Sequence, residues 1–202
     1  MCGSALRSYD KVGGLLNGNC HFIFGAAVGT AAAMNTELLC SYLPNITATP
    51  ETATLLVLGG LIGGIFPDMD NPSSYFGKLT VPLSKWIGNV GKVFGKENEH
   101  HRGIFHDAAI YITGLILSYL YFPPLIGFFA GCLSHIYHDM FNPSGIPFLF
   151  GVKHLHLGKI PSGSKGSVIF TWVSAIAVLL IGVAAHLFLN GSALNDVGIS
   201  FS

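Results

Sequence analysis

Charge is what this chain has least of. Only 10% of its 202 residues are Asp, Glu, Lys or Arg, against roughly 25% in an average soluble domain. So little charge cannot cover a water-facing surface, which makes lipid the natural solvent for much of the chain. Ten acidic and ten basic residues balance, and the pI is near 7.1. The basic excess of a nucleic-acid-binding domain is missing, and no nucleic-acid partner is expected. Cysteine is scarce as well. Cys2, Cys20, Cys40 and Cys132 show no C-x-x-C spacing, which argues against both a thiolate zinc site and a disulfide framework. Cys2 follows Met1 with no apolar stretch before it, so it does not read as a lipoprotein cysteine. There is no internal repeat and no low-complexity tract.

What fills the chain instead is apolar. Half the residues are hydrophobic, 26 are glycine, and mean hydropathy is +0.57. Five segments are candidates for the bilayer: 20–34, 53–67, 104–122, 124–141 and 168–189. Only the last has the ~20 apolar residues that span comfortably. The third and fourth form one run folded at "FPP", where Pro123 and Pro124 end one helix and open the next. The first two are short and glycine-rich, which suits close helix packing in lipid. The expected fold is therefore all-α: a polytopic membrane bundle of about five embedded helices in a single domain over 1–202. Residues 1–18 are expected as a cytoplasmic N-terminal segment and 190–202 as a short C-terminal tail.

All ten Lys and Arg residues fall on one side of this arrangement. Arg7 and Lys11 precede the first segment. Lys78, Lys85, Lys92, Lys96 and Arg102 lie between the second and third, and Lys153, Lys159 and Lys165 between the fourth and fifth. By the positive-inside rule that face is cytoplasmic, with the C-terminus outside. An alternative is a cleaved signal peptide over 1–33, ending in "AAA", although glycines and a histidine make a poor apolar core for one. Leu83, Trp86, Ile87, Val90, Val93 and Phe94 repeat at helical spacing. They predict a cytoplasmic amphipathic helix on the membrane surface, with an ordinary packed surface helix as the alternative.

Imidazoles and carboxylates gather at the same ends. His21 opens the first segment, and Asp68 and Asp70 close the second in "IFPDMDNP". Arg102 and His106 open the third; His135, His138 and Asp139 close the fourth in "LSHIYHDMFNP". Ionisable groups at such depth are costly unless paired or coordinated. Imidazole with carboxylate and no thiolate suits a catalytic divalent ion, zinc first, with manganese or iron as alternatives, as one or two ions. His135 and Asp139 are four apart and share a helix face, which His138 is placed to join. Asp107 is a candidate acceptor orienting a neighbouring imidazole. Arg102 offers a planar cationic fork for phosphate or carboxylate oxygens. His100, His154, His156 and His186 read as interfacial or structural.

These residues also carry a resemblance. "HFIFGAAVG", "LGGLIGGIFPDMDNPSSYFGK", "HHRGIFHD" and "GCLSHIYHDMFNPSGIPFLFG" resemble, in order and spacing, the YdjM-type family of LexA-binding, inner-membrane-associated proteins, described as membrane-bound metal-dependent hydrolases. The family pattern is a histidine in the first helix, P-D-x-D after the second, H-R-G-x-x-H entering the third and S-H-x-x-x-D closing the fourth. The resemblance covers roughly residues 19–157 and implies His21, Asp68, Asp70, His101, Arg102, His106, His135 and Asp139 as functional positions. It implies an inner-membrane location. Two positions depart from the pattern: Phe105 stands where the family has threonine and Asp107 where it has serine. Nothing in the chain reads as a surface for a DNA-binding protein.

Two functions follow as expectations. The first is a membrane-bound metal-dependent hydrolase acting on a phosphoester or other ester of a lipid or membrane-proximal substrate. His21, Asp68, Asp70, His106, His135 and Asp139 would hold the metal. Asp139 or a neighbouring carboxylate would serve as base and Arg102 would hold the developing anion, with His101 as a further catalytic position. The second is a divalent-metal or proton transporter built on the same cluster. It would need polar groups continuing across the membrane, and beyond the cluster the segments offer little more than Thr30, Thr113 and Ser118.

Overall fold

The computed structural model describes residues 3–43, 46–70, 74, 104–149 and 152–196, with side chains over 19–43, 46–69, 74, 105–149 and 152–189. The predicted amphipathic helix around 83–94 lies outside these residues, as do His101, Arg102 and the side chain of Asp70.

The described chain is mostly helical. α1 runs Gly3–Met34 and bends by 74° into the short α2, Thr36–Tyr42. α3 (Pro50–Ile65) begins where Thr49 accepts a hydrogen bond from the Thr52 amide and Pro50 occupies the first turn. It runs into a 3₁₀ turn over Phe66–Asp70. After a second 3₁₀ turn at Ile104–His106, α4 spans Ala108–Tyr121. The predicted proline corner follows, with Phe122 before a 3₁₀ turn at Pro123–Leu125, and α5 spans Ile126–Met140. The last helix, α6, spans Lys165–Asp196. Helix thus runs through most of the expected N-terminal segment and into the expected C-terminal tail. His21 stands well inside α1 rather than at its start.

Between α5 and α6 lies an element the apolar pattern did not predict. Strands β1 (Ile146–Phe148) and β2 (Lys153–Leu155) pair antiparallel, with Pro147 opposite His154. The hairpin packs through Ile146, which is fully buried beside Ala108, Tyr111, Cys132 and Ile136.

α3 sits between α1 and α5, and glycine is what lets three backbones come so close. A Cβ on Gly64 would lie 2.6 Å from the His21 carbonyl oxygen, and one on Gly127 would lie 2.6 Å from that of Leu56. Each glycine therefore marks a backbone-to-backbone crossing of the small-xxx-small type. α6 packs against α1, where Asn35 donates to the Gly182 carbonyl at 3.0 Å, while α4 packs against α5.

The outer faces suit lipid. Ile169, Trp172, Val173, Ile176, Leu180 and Phe188 of α6 are all more than half exposed. So large an unbroken apolar surface has water as a poor neighbour. Among the described residues two helical stretches are long and apolar enough to cross a membrane, Pro50–Met69 and Lys165–Leu189, and a third if bent α1–α2 counts as one span. α4, with 14 residues, reaches about 21 Å at 1.5 Å per residue, short of the roughly 30 Å hydrocarbon core. α5, with 15, is hardly longer. The expectation of five embedded helices thus meets helices of very unequal reach.

Candidate metal centre

The site forms where the glycine seams end. On α1, His21 is followed by Gly25 and Gly29 at intervals of four. On α3 and its 3₁₀ extension, Gly60 and Gly64 lead to Asp68. On α5, Gly127 and Gly131 lead to His135 and Asp139. Residues four apart share a helix face, so the seams that draw these backbones together also aim His21, Asp68, His135 and Asp139 at one another. His106 joins from the 3₁₀ turn before α4.

Two overlapping triads result, His21–His135–Asp139 and Asp68–His106–His135, each with its ligand atoms within 4.8 Å of one another. His21, His106, His135 and Asp139 are at most 2% exposed. Asp68 is the open side, its side chain 19% exposed. His106 Nε2 lies 3.2 Å from Asp68 Oδ1. The remaining pairs are longer: His21 Nε2 to Asp139 Oδ1 is 3.6 Å, His135 Nε2 to Asp139 Oδ2 3.6 Å, His106 Nε2 to Asp139 Oδ2 3.7 Å and His135 Nε2 to Asp68 Oδ1 3.7 Å. These separations are too long for hydrogen bonds. They match the edge of a coordination tetrahedron, roughly 3.3–3.6 Å for ligands at 2.0–2.2 Å.

Hydrogen bonding fixes which nitrogen His135 offers. His135 Nδ1 lies 2.8 Å from the Gly64 carbonyl oxygen, which can only accept, so Nδ1 carries the proton and Nε2 presents its lone pair inward. A backbone carbonyl behind the ligating imidazole is the usual way a metal-binding histidine is held. Among the described residues His135 Nε2 and both ring nitrogens of His21 have no hydrogen-bond partner, although buried. Buried polar atoms left so are rare and call for an explanation such as an ion. The donor set fits a divalent ion: imidazole nitrogens and carboxylate oxygens without sulfur. Since His135 has only Nε2 to give, the two triads share one ligand atom, and a single ion is the simplest occupancy.

Other candidates find different places. His138 turns away from the triads toward α6, its Nε2 2.8 Å from Thr171 Oγ1. Asp107 accepts the Ala109 amide at 2.9 Å as N-cap of α4. Serine and aspartate both cap well, so this departure from the family pattern preserves a cap. Phe105 sits edge-on to Phe66, its ring centroid 6.5 Å away, while its carbonyl accepts from Tyr111 at 2.6 Å. His154 and His156 are exposed and stand apart, and His186 lines a cleft at the far end beside Asn35.

Sequence reasoning missed the Gly64 carbonyl, Ser74, whose hydroxyl donates to the Asp68 carbonyl at 2.7 Å, and Thr171. Only Thr171 carried a signal: Ser164, Ser167 and Thr171 recur on one face at the start of an otherwise apolar helix.

The profile of the family described as YdjM inner membrane protein matches residues 16–197. The inner membrane protein YdjM of Escherichia coli (strain K12) is 32% identical over 104 residues, which are 47% of this chain and 48% of that protein. The protein of the same name from Shigella flexneri aligns to the same extent. The chain thus spans about half the length of these relatives in the alignment. No solved structure matches it. A profile match over most of the sequence, on a helical chain with buried His/Asp groups and lipid-suited faces, identifies an inner membrane protein, and the chain belongs to the YdjM inner membrane protein family.

Proposed function

We propose that this protein is a membrane-embedded, metal-dependent hydrolase acting on a phosphoester or other ester of a lipid or membrane-proximal substrate. The observation that carries this is the pair of buried triads sharing His135, with unpartnered imidazole nitrogens and one partly open carboxylate. His21, His135 and Asp139, with His106 and Asp68, would hold the ion, zinc first among the candidates. When bound, such a metal supplies Lewis acidity and lowers the pKa of a water to ~7.

The residues do the rest. Asp139 lies between three imidazoles, one oxygen toward His21 and the other toward His106 and His135, where it can accept a proton from the attacking water. Asp68, on the open side, marks where substrate enters. Asp70, His101 and Arg102 join on the sequence pattern, Arg102 holding the anion that develops on the substrate. Metal analysis of the purified protein, followed by hydrolysis assays on phospholipids and soluble phosphoesters, tests this function. Stoichiometric metal with turnover of any such ester supports it, and absence of tightly bound metal overturns it.

Arg102→Lys is expected to retain metal and lose at least ~10-fold in turnover, because lysine keeps the charge but not the bidentate fork. Full turnover in that variant would reduce the arginine to an interfacial anchor.

A cytoplasmic site follows from the sequence, because all ten basic residues flank the apolar segments at the ends that carry its residues. A re-entrant α4–α5 hairpin would leave this sidedness unchanged, since it returns to the side it left. In a cysteine-free background, Asn195→Cys should react with a membrane-impermeant maleimide from outside and His156→Cys should not. Labelling in the reverse pattern would invert the topology.

A further inference from the structure

We propose that His138 and Thr171 are positioning residues that orient His21, making α6 a working part of the metal site. The inference rests on the metal-site reading above. His21 poses the problem. It lies 3.6 Å from Asp139 through Nε2, yet among the described residues neither ring nitrogen has a hydrogen-bond partner. A ligating histidine is normally held by a hydrogen bond at its other nitrogen. His135 has such a bond to the Gly64 carbonyl; His21 is held by rings instead.

One face of His21 stacks on His135, with centroids 3.7 Å apart and planes 18° from parallel. His138 meets it at 4.8 Å and 81°. With no hydrogen bond to hold it, the His21 ring takes its angle from these two ring contacts, so its orientation depends on that of His138. What fixes His138 is on another helix. The Thr171 hydroxyl donates to the Ser167 carbonyl at 2.9 Å, which uses its one proton, so its oxygen accepts from His138 Nε2–H at 2.8 Å. Thr171 is fully buried and His138 5% exposed, so water does not compete for the bond.

The chain of constraint therefore runs from the Ser167 carbonyl through Thr171, His138 and His21 to Asp139. It explains why a helix with no ligand of its own places a threonine among apolar neighbours at this level. Removing a group hydrogen-bonded to a metal ligand typically costs 10–100-fold in metal affinity, and Thr171, acting one ring further out, is expected at the lower end of that range.

The test is Thr171→Val, which keeps the shape and removes the hydroxyl, beside Thr171→Ser, which restores it. Each protein is purified in detergent and titrated with Co²⁺ and Zn²⁺ against a chromophoric chelator. Thr171→Val is expected to lose about 10-fold or more in affinity and to shift the Co²⁺ absorption bands, while Thr171→Ser stays within ~3-fold of the parent. A purely structural role would lower thermal stability without moving the Co²⁺ bands. Unchanged affinity and bands in Thr171→Val, with the parent binding metal, would overturn the inference. If the parent binds no metal, the function proposed above fails first. The orientation is then read on the metal-free protein by ¹⁵N-histidine NMR, where Thr171→Val should shift both His138 and His21 ring signals. A shift confined to His138 would overturn the inference there too.

Discussion

His135→Ala is expected to abolish metal binding, a larger loss than removal of any other single side chain at the site. Both triads contain His135, so no three-ligand set among the described residues survives without it. His21→Ala or His106→Ala each leaves one triad whole, and those variants should bind at reduced affinity. The loss should exceed the 10–100-fold typical of an outer-shell partner, because a donor atom itself is gone. The substitution also strips the Gly64 carbonyl of its partner at 2.8 Å, which in a buried setting costs about 1–3 kcal/mol. His135→Gln, with an amide donor in place of the ring, separates lost stability from lost ligation. Metal content after exhaustive dialysis is the measurement. Stoichiometric metal in His135→Ala would show that the shared imidazole is not a ligand.

How much of this was legible beforehand depends on the physical scale of each feature. The convergence of His21, Asp68, His106, His135 and Asp139 could be read from the sequence, although partly for the wrong reason. Shared helix ends suggest it, yet His21 stands within α1, which begins at Gly3. What unites the residues is the four-residue spacing by which each continues a glycine row. "LGGLIGGIFPD" carries that spacing in plain view, and pairing its rows with those on α1 and α5 would have given the contacts directly. Backbone partners left no such trace. The Gly64 carbonyl is present whatever the residue, and only the crossing of α3 over α5 turns it toward His135. His138 misled because three-residue spacing permits a shared face with His135 without requiring it; Thr171, on a distant helix, decided its direction. The hairpin at Ile146–Phe148 was hidden for a related reason. A short apolar run beside glycine reads the same in a loop and in a strand, and only burial of Ile146 in the core separates them.

The glycine seams set up the second large effect. Gly64→Ala adds one methyl group, and that group would lie 2.6 Å from the His21 carbonyl oxygen and 3.0 Å from the Gly25 Cα. Both are backbone atoms of α1, so no side chain can swing aside. The helix itself must retreat by the order of 1 Å to reach ordinary contact, and tight packing propagates the shift. Overpacking of this kind costs about 1–3 kcal/mol, and a backbone-to-backbone clash belongs at the upper end. The same shift pulls His21 from His135 and Asp139, which stand at separations suited to coordination, whereas functional constellations tolerate only about 0.5 Å. Gly64→Ala should therefore lower both the melting temperature in detergent and the metal affinity, the latter by at least ~10-fold. Gly166→Ala is the matched control. Its Cβ would meet nothing nearer than 3.5 Å, and alanine's helix propensity should leave stability unchanged or raise it by up to about 1 kcal/mol. If Gly64→Ala melts and binds metal like the parent while Gly166→Ala behaves as expected, α1 and α3 do not meet at this crossing. The ligands would then need another scaffold to bring them together.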